Sequence, residues 1–353
     1  MGAMRTCVGA GVVALVVGVV GCERGPAEVG APGARVVPAR VIPVPTTVSP
    51  ELQRAIAAPA GKVPDAKSAE EWRALQREQD EAGAREARAL AAQVGVTVKA
   101  TTVGGVKAFL VEPSEVASWN RRRLLVHLHG GAYVFGSGEA GTREAIVAAS
   151  YGRIPVLSVD YRMPPEHPFP AALDDAVAVW KAVLQSRDPA RMALFGTSAG
   201  GGLTMATVIR LGELGLPLPG VLFMGTPWTD LSKTGDTYFT NEGVDNQVDS
   251  YDGGIESAAK LYAAGRALTE PLISPVYGEV SGFPPTILIS GTRDLLLSCT
   301  VRAHRALRRA GVEAELHVFE GQSHAQYGTT FPSPESREAL NEVARFFDRH
   351  MSR

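Results

Sequence analysis

The stretch Met192-Ala193-Leu194-Phe195-Gly196-Thr197-Ser198-Ala199-Gly200 predicts the central turn of the fold. Its first four residues are apolar and predict a short buried strand, and the small residues after Ser198 predict the start of a helix. Between the two lies the pattern G-x-S-x-G, which is common by itself but specific at a strand-to-helix turn. Small residues beside the serine permit a tight turn that exposes its hydroxyl. The stretch therefore predicts a nucleophilic serine, and the alternative is an ordinary turn between a strand and a helix.

Short apolar runs alternate with helical patterns along the chain after Gly95. This alternation is typical of an α/β fold, a mostly parallel sheet covered by helices on both faces. Such sheets carry their functional sites at the carboxyl ends of the strands. The predicted strands are 96–103 and 106–112 (a hairpin around Gly104-Gly105), 124–129, 155–160, 192–195, 221–224, 286–290 and 315–319. The predicted helices are 143–151, 171–185, 199–214, 301–310 and 335–351.

A nucleophilic serine needs a histidine base and a carboxylate that orients the histidine. On a strand–turn–helix scaffold of this kind the acid and then the histidine follow the serine along the chain. Of the seven histidines, only His324 lies in a loop after a predicted strand beyond Ser198. Asp294 follows the predicted strand 286–290 and is the expected acid, with a helix N-cap as the alternative. Five other aspartates lie in or beside a segment without a strand pattern and are set aside: Asp230, Asp236, Asp245, Asp249 and Asp252.

A glycine pair follows the predicted strand 124–129, in His129-Gly130-Gly131-Ala132. Glycines let the backbone approach a substrate closely, so the N–H groups of Gly130, Gly131 and Ala132 can face a developing oxyanion. The N–H of the residue after the nucleophile, Ala199, would join them. The pattern predicts an oxyanion hole, and an ordinary glycine turn is the alternative.

Composition and cysteine use narrow the class of protein. The formal net charge of -2 on 353 residues gives no broad basic field, so no nucleic-acid partner is expected. No H-E-x-x-H or paired C-x-x-C pattern occurs, and neither a metal nor an organic cofactor is expected. Of the three cysteines, Cys299 lies at the predicted start of a helix without a histidine placed to activate it. A catalytic cysteine is therefore the weaker alternative.

The first residues have the pattern of a targeting segment. An apolar run of 13 residues, 8–20, is too short to span a bilayer as a helix and has the length of a signal-peptide core. It ends in Val19-Val20-Gly21-Cys22, which resembles a bacterial lipobox. We therefore predict a lipoprotein signal peptide over 1–21, lipid attachment at Cys22 and a flexible linker over 22–45. The expected location is the bacterial cell envelope, with membrane contact only through this anchor.

Five motifs in order resemble those of the bacterial hormone-sensitive-lipase-like esterases, a branch of the α/β-hydrolase fold. The resemblance implies that fold over 94–353, a helical cap over 46–93 and an insertion over 228–268 that completes the cap. It also implies that the stretch 160–172 braces the site, so Glu166 and His167 are left out of catalysis. The motifs are His129-Gly130-Gly131-Ala132, Asp160-Tyr161-Arg162, Pro165–Ala172, Gly196–Gly201 and Ser274-Pro275.

Three positions depart from the family's pattern. Ala132 stands where the family often has glycine, but its expected contribution is a backbone N–H, which alanine retains. Asp294-Leu295-Leu296 replaces the usual Asp-Pro-Leu, which keeps the acid and puts the loop shape in doubt. Thr197 precedes the nucleophile where many relatives have aspartate.

These residues together predict a carboxylic ester hydrolase that works through an acyl-enzyme on short to medium acyl esters. A lactone hydrolase is the alternative nearest to it; a serine peptidase or amidase and a non-catalytic binding protein on the same fold are further ones. The expected partner is a small-molecule ester, and the oligomeric state stays open. Four aromatic residues are candidate pocket walls, with ordinary core positions as the alternative: Tyr133, Phe135, Trp228 and Phe239.

Overall fold

Eight strands join in one sheet in the computed structural model, which describes residues 34, 35 and 37–352. The order across the sheet is β1-β2-β4-β3-β5-β6-β7-β8. The strands are β1 (Val96–Val103), β2 (Val106–Pro113), β3 (Leu124–Leu128), β4 (Val156–Val159), β5 (Met192–Thr197), β6 (Val221–Gly225), β7 (Thr286–Gly291) and β8 (Ala314–Phe319).

Strand β2 runs antiparallel to both of its neighbours, and every pair from β4 across to β8 is parallel. The hairpin between β1 and β2 closes at Val103 and Val106, which face each other across the turn. Both turn residues, Gly104 and Gly105, have positive φ, a conformation that glycine adopts without strain. A mostly parallel sheet, as predicted, is therefore confirmed.

Ten α-helices connect or flank the strands in the described residues. The helix after Asp294 begins at residue 297, four residues before the predicted start. The helices are α1 (Pro50–Ala57), α2 (Ala69–Val94), α3 (Arg143–Gly152), α4 (Ala171–Val183), α5 (Ala199–Glu213), α6 (Thr237–Thr240), α7 (Gly254–Ala263), α8 (Leu297–Arg309), α9 (Gln326–Thr329) and α10 (Pro334–His350).

Two apolar clusters cover the two faces of the sheet, because alternate residues of each strand point to opposite sides. On β3, Val126 and Leu128 join the first cluster, with α4, α5 and α8. Leu125 of the same strand joins the second cluster, with α3 and α10. Each fully buried Leu, Val or Phe side chain contributes about 1.5–3 kcal/mol to the stability of the fold. Helices therefore pack on both faces and shield the central strands from water.

The N-terminal helices are fixed at their ends by side chains. Ser68 caps α2, because its hydroxyl accepts a hydrogen bond from Glu71 N at 3.2 Å. The Glu71 carboxylate accepts from the N–H of Lys67 at 2.7 Å, one residue before the position that a full capping box requires. Helix α2 ends at Gly95, whose φ of 69° suits a glycine C-cap.

The segment 228–268 contains no strand among its residues, in agreement with its sequence pattern. It holds the helices α6 and α7. Four of its five large aromatic residues are buried, Trp228, Tyr238, Tyr251 and Tyr262, and Phe239 is exposed. The segment is therefore packed into the apolar core of the protein, and its role as part of a cap stays a prediction.

The predicted signal peptide 1–21 and Cys22 lie outside the described residues. The described residues before Pro43 contain no helix or strand. From Pro43 onward the chain packs as one compact unit. Among the residues that the structure describes, no helix is both long enough and apolar enough to cross a membrane.

Candidate active site

Ser198 lies at the turn between β5 and α5. Its φ of 60° and ψ of -124° are a conformation that non-glycine residues rarely adopt. The surrounding backbone holds it there, since Ser198 N donates to Gly225 O at 2.9 Å and Trp228 N donates to Ser198 O at 2.9 Å. Strain of this kind, of order 1–3 kcal/mol, persists only where the neighbouring structure determines the conformation. The turn places the serine at the carboxyl edge of the sheet.

The glycines of the motif are required by the packing of β5 and α5 against β3. A Cβ added at Gly196 or at Gly200 would fall far inside contact distance of the carbonyl oxygen of Leu128. Both glycines therefore permit a backbone approach that any larger residue would prevent. This approach brings the end of β3, and the loop after it, next to the serine.

His324 and Asp294 form a buried pair at the ends of β8 and β7. His324 Nδ1 lies 3.0 Å from Asp294 Oδ1. The other carboxylate oxygen, Oδ2, accepts from the Ser290 hydroxyl at 2.6 Å, and Oδ1 also accepts from Leu296 N at 2.8 Å. Asp294 is fully buried and His324 is 6% exposed. The hydrogen bond to Nδ1 leaves Nε2 of the imidazole to serve as a base toward the cleft.

The electrostatics of this pair favour the charged imidazolium. Burial lowers the pKa of His324, but the charge and hydrogen bond of Asp294, with a further contribution from the charge of Asp245, raise it above its ordinary value. A histidine that acts as base in acyl transfer becomes positively charged in the transition state. The buried carboxylate beside it would stabilise that charge.

The loop after β3 presents backbone N–H groups beside the serine. Gly131 has φ of 106° and Ala132 has φ of 53°, so the chain turns sharply here. A Cβ added at Gly130 would lie 3.4 Å from Ser198 Cβ. Within the described part of the chain, neither the Gly131 N–H nor the Ala132 N–H donates to a protein acceptor. These donors, with Ala199 at the start of α5, are available to a bound oxyanion.

We call the loop after β3, residues 129–138, the oxyanion loop, because the sequence predicts an oxyanion hole there. Side chains of Asp160 and Tyr161 hold its conformation. Asp160 Oδ1 accepts from Gly138 N at 2.8 Å, and the Tyr161 hydroxyl donates to His129 O at 2.7 Å. The rings of Tyr161 and His129 stack with centroids 4.0 Å apart. Burial lowers the pKa of His129 to about 3, so this histidine is neutral and structural.

A cleft of about 840 Å³ brings the candidate residues together. Ser198, His324 and the run 130–132 all line it. Residues 61–64, which precede α2, and Val248 of the insertion also line it. Of the four aromatic candidates for its walls, Phe135 lines the cleft. Tyr133 and Trp228 are buried in the core, and Phe239 is 59% exposed.

Asp245 lies in the site, although its position in the sequence predicts a place away from it. Its Oδ2 accepts from Leu295 N at 2.8 Å and from His324 N at 3.1 Å. It was set aside because it follows no strand. The path of the segment 228–268, which returns to the ends of β7 and β8, is a tertiary feature without a local sequence signal.

A second group of polar residues lies behind the nucleophile. The Thr197 hydroxyl donates to Glu144 Oε1 at 2.5 Å and also contacts the Tyr327 hydroxyl. The other oxygen of Glu144 lies 3.0 Å from His127 Nε2. Threonine at position 197 therefore connects the nucleophile turn to α3 and α9. The motif located Thr197, but Glu144 and Tyr327 carried no signal that marked them.

Cys299 is fully buried, and burial raises the pKa of its thiol to about 12. A buried, protonated thiol is a poor nucleophile, so the alternative of a catalytic cysteine has no support from its surroundings. Within residues 34–352, apart from the undescribed position 36, no group of three or more His, Cys, Asp or Glu side chains is arranged to hold a metal ion.

Comparison with known proteins agrees with this geometry. The profile of the alpha/beta hydrolase fold matches residues 125–328. An acetyl-hydrolase of Streptomyces hygroscopicus is 33% identical over 247 residues, which cover 70% of this chain and 80% of that protein. An esterase of Acinetobacter venetianus is 28% identical over 71% of this chain and 82% of its own length.

Solved structures of esterases are also similar to this chain. The crystal structure of one esterase has a TM-score of 0.87 and 44% identity, and covers 90% of this chain and 99% of that one. An esterase from the bacterial hormone-sensitive lipase family has a TM-score of 0.71 and 29% identity, over 86% of this chain and 99% of its own. The chain belongs to the alpha/beta hydrolase fold family, and within it to the carboxylesterase-like hydrolases that resemble bacterial hormone-sensitive lipase.

Proposed function

We propose that this carboxylic ester hydrolase acts through a triad of Ser198, His324 and Asp294 on esters of short to medium acyl chains. One observation carries the proposal. His324 lines the same cleft as the strained serine, and its Nδ1 lies 3.0 Å from Oδ1 of the buried Asp294. The order serine, acid, histidine along the chain supports the same assignment.

The reaction proceeds in two steps. Ser198 Oγ attacks the ester carbonyl carbon while His324 Nε2 takes its proton, and the N–H groups of the oxyanion loop and of Ala199 hold the tetrahedral oxyanion. The imidazolium then gives the proton to the departing alcohol, which leaves an acyl-enzyme. Water, activated by His324, attacks the acyl carbon, and the acid departs as Ser198 regains its proton. Asp294 holds the imidazole orientation throughout.

Each oxyanion donor has a defined origin. Gly130, Gly131 and Ala132 provide N–H groups from the loop after β3, and Ala199 provides one from the first turn of α5. Removal of one such donor from a hydrolase typically lowers the rate about 10²–10³-fold. The positive end of α5 adds to the stabilisation of negative charge at this point.

The lining of the cleft supports an ester with an apolar acyl chain. It contains apolar side chains such as Val63, Phe135, Val248 and Ile255. The name of one similar protein, acetyl-hydrolase, indicates a small acyl group for that protein and supports short acyl chains here. Lactones carry the same carbonyl chemistry and are a second substrate class to be tested.

The test uses a panel of p-nitrophenyl esters from acetate to palmitate, together with lactones and an anilide. We expect turnover to be highest for short and medium chains, and Ser198→Ala to lower kcat by about 10⁴-fold or more. The control is Ser257→Ala, which removes another hydroxyl in α7 that bonds Asp65 at the surface. A Ser198→Ala variant with wild-type turnover would falsify the triad, and preference for lactones or for the anilide would replace the substrate class.

We also propose that the protein is anchored in the cell envelope through lipid on Cys22. The support is the sequence pattern of the first 22 residues. The linker 22–45 would then separate the catalytic unit from the membrane surface. Two acyl chains or more are needed for stable anchoring, which is what a lipoprotein modification supplies.

A further inference from the structure

Asp245 is fully buried beside the proposed acid and base, and four backbone N–H groups point at its carboxylate. Oδ1 accepts from Gln247 N at 2.8 Å and from Val248 N at 3.1 Å. Oδ2 accepts from Leu295 N at 2.8 Å and from His324 N at 3.1 Å. Four donors on two oxygens match an ionised carboxylate, which only accepts hydrogen bonds.

The two donors on Oδ2 belong to the two loops that carry the proposed chemistry. Leu295 directly follows Asp294 in the loop after β7. His324 donates its own amide from the loop after β8. One oxygen atom therefore fixes the main chain of the acid loop relative to the main chain of the base loop. The side-chain hydrogen bond between Asp294 and His324 depends on this relative position.

We propose that Asp245 is a positioning residue for the acid–base pair, which holds the loops of Asp294 and His324 at the separation that their hydrogen bond requires. The proposal rests on the proposed function, because it assigns a role relative to that triad. Asp245 does not touch the reacting atoms. It acts through the backbone of the two loops and through its charge.

The neighbouring residue extends this contact to the N-terminal helix. Asn246 Nδ2 donates to Ala55 O at 2.7 Å and to Ala58 O at 3.1 Å, at the end of α1. Asn246 N donates to the Ser323 hydroxyl at 3.2 Å, and its Oδ1 accepts from Gln326 Nε2 at 3.0 Å. The segment 245–246 therefore joins α1, the insertion and the base loop at one place.

The charge of Asp245 also affects the pKa of His324, the proposed base. Burial and the like charge of Asp294 raise the pKa of Asp245, and the charge of His324 opposes that rise. In return, Asp245 adds to Asp294 in raising the pKa of His324. Asp294 and His324 are the ionisable side chains that act on Asp245 here; Asn246, on the side of α1, is neutral. Removal of the charge at 245 should thus lower the pKa of His324.

The experiment compares Asp245→Asn with Asp230→Asn in the purified full chain. Asparagine keeps the shape but turns an amide group toward N–H donors. We expect Asp245→Asn to lower kcat by about 10²-fold, as a misplaced catalytic group does, with KM changed less than about threefold. We also expect the acidic limb of the kcat/KM profile to move to lower pH.

Asp230 is a matched control, since it is a second fully buried aspartate in the same segment. Its partners are Ser232, Thr234, Tyr277 and Arg302, away from the proposed acid and base. Asp230→Asn should lower the melting temperature and leave the acidic limb and the kcat of the folded fraction unchanged. Near-UV circular dichroism, which does not depend on the reactivity of Ser198, gives the folded fraction of each variant.

Two results would overturn the proposal. The first is a folded Asp245→Asn variant whose kcat and acidic limb equal those of the wild type. The second is a loss of activity that the loss of folded protein explains completely. If Asp245→Asn does not fold, Asp245→Glu keeps the charge but displaces the carboxylate. It should then lower kcat with the acidic limb near that of the wild type, and wild-type kcat would contradict the proposal. Ser198→Ala, assayed alongside, tests the proposed function separately.

Discussion

His324 is the residue on which the proposed chemistry depends, because it must be neutral to take the proton of Ser198. Its hydrogen bond to Asp294 and the two buried carboxylates nearby favour the protonated form. A higher pKa makes the imidazole a stronger base toward the serine, but it also means that more of the enzyme is inactive in weak acid. The same contacts therefore set both the strength of the base and the lower pH limit of activity.

We predict that kcat/KM falls on acidification with a midpoint above 6.5, the ordinary value for histidine, because protonated His324 cannot act as base. A pH series of initial rates with p-nitrophenyl butyrate at low substrate concentration measures this limb. In the comparison variant Asp294→Asn the midpoint should move to lower pH, with turnover about 10⁴-fold lower. A midpoint below 6.5 in the wild type would contradict the assigned direction.

At the scale of elements, the site is built by the contact of β5 and α5 with β3. Strand β5 ends directly before Ser198, α5 begins directly after it, and the loop after β3 lies against the turn between them. Gly200 permits this contact, since its position faces the backbone carbonyls of Leu128 and His129. Close-packed backbone cannot yield as a flexible side chain does, so the contact is intolerant of added atoms.

Two glycines of α5 provide a matched test. Gly200→Ala should destabilise the protein by about 1–3 kcal/mol and lower kcat by about 10²-fold, because the added methyl displaces β3 and the oxyanion loop. Gly212 has no atom within 4 Å of an added Cβ. Gly212→Ala should therefore stabilise the protein by about 0.5–1 kcal/mol through helix propensity, with kcat unchanged.

Chemical denaturation and ester hydrolysis measure both variants. Wild-type turnover in Gly200→Ala would show that the contact between α5 and β3 does not set the geometry of the site. A destabilised Gly212→Ala variant would mean that helix propensity does not dominate at that position.

At the scale of the whole molecule, N-terminal segments complete a site whose chemistry lies far along the chain. Residues 61–64 line the cleft, and α1 is joined through Asn246 to the base loop. The N-terminus of α1 is fixed as well, since Ser49 N and its hydroxyl both donate to Glu335 at the start of α10, at 2.6 and 2.7 Å. These contacts all lie within the compact unit that begins at Pro43.

We predict that Cys22→Ser moves the esterase activity from the membrane fraction to the soluble fraction of a bacterial host, because the lipid attachment point is lost. The kcat of the released protein should equal that of the wild type. Cys7→Ser is the control, since Cys7 lies in the proposed signal peptide 1–21, and it should leave the distribution unchanged. Activity that stays with the membrane in Cys22→Ser would rule out this anchor, and mass spectrometry of the mature N-terminus would locate the true cleavage site.

Most of the fold could be predicted from local patterns. The strand 192–195 of the prediction is β5 with two further residues, and the predicted helix 199–214 is α5 with one fewer. Apolar runs and helical periodicity depend on neighbours a few residues apart, so a single sequence contains them. The predicted range 301–310 begins four residues after α8 does, although Cys299 is itself predicted to lie at a helix start. The first turn of α8 holds no cap signal, since Leu296, the residue at its N-cap, makes no side-chain cap.

Local sequence patterns were sufficient to predict the α/β class, the serine turn and the order of Ser198, Asp294 and His324, because tight turns and buried strands restrict which residues can occupy them. Contacts between distant segments, by contrast, bring Asp245 beside that pair and place Glu144 and Tyr327 behind Thr197. They also place Phe135 rather than Trp228 in the lining of the cleft. These contacts join residues about 50 to 130 positions apart, and no periodic sequence pattern links residues at such separations. Their geometry is fixed by the packing of loops at the edge of the sheet, and local propensity does not predict how loops pack.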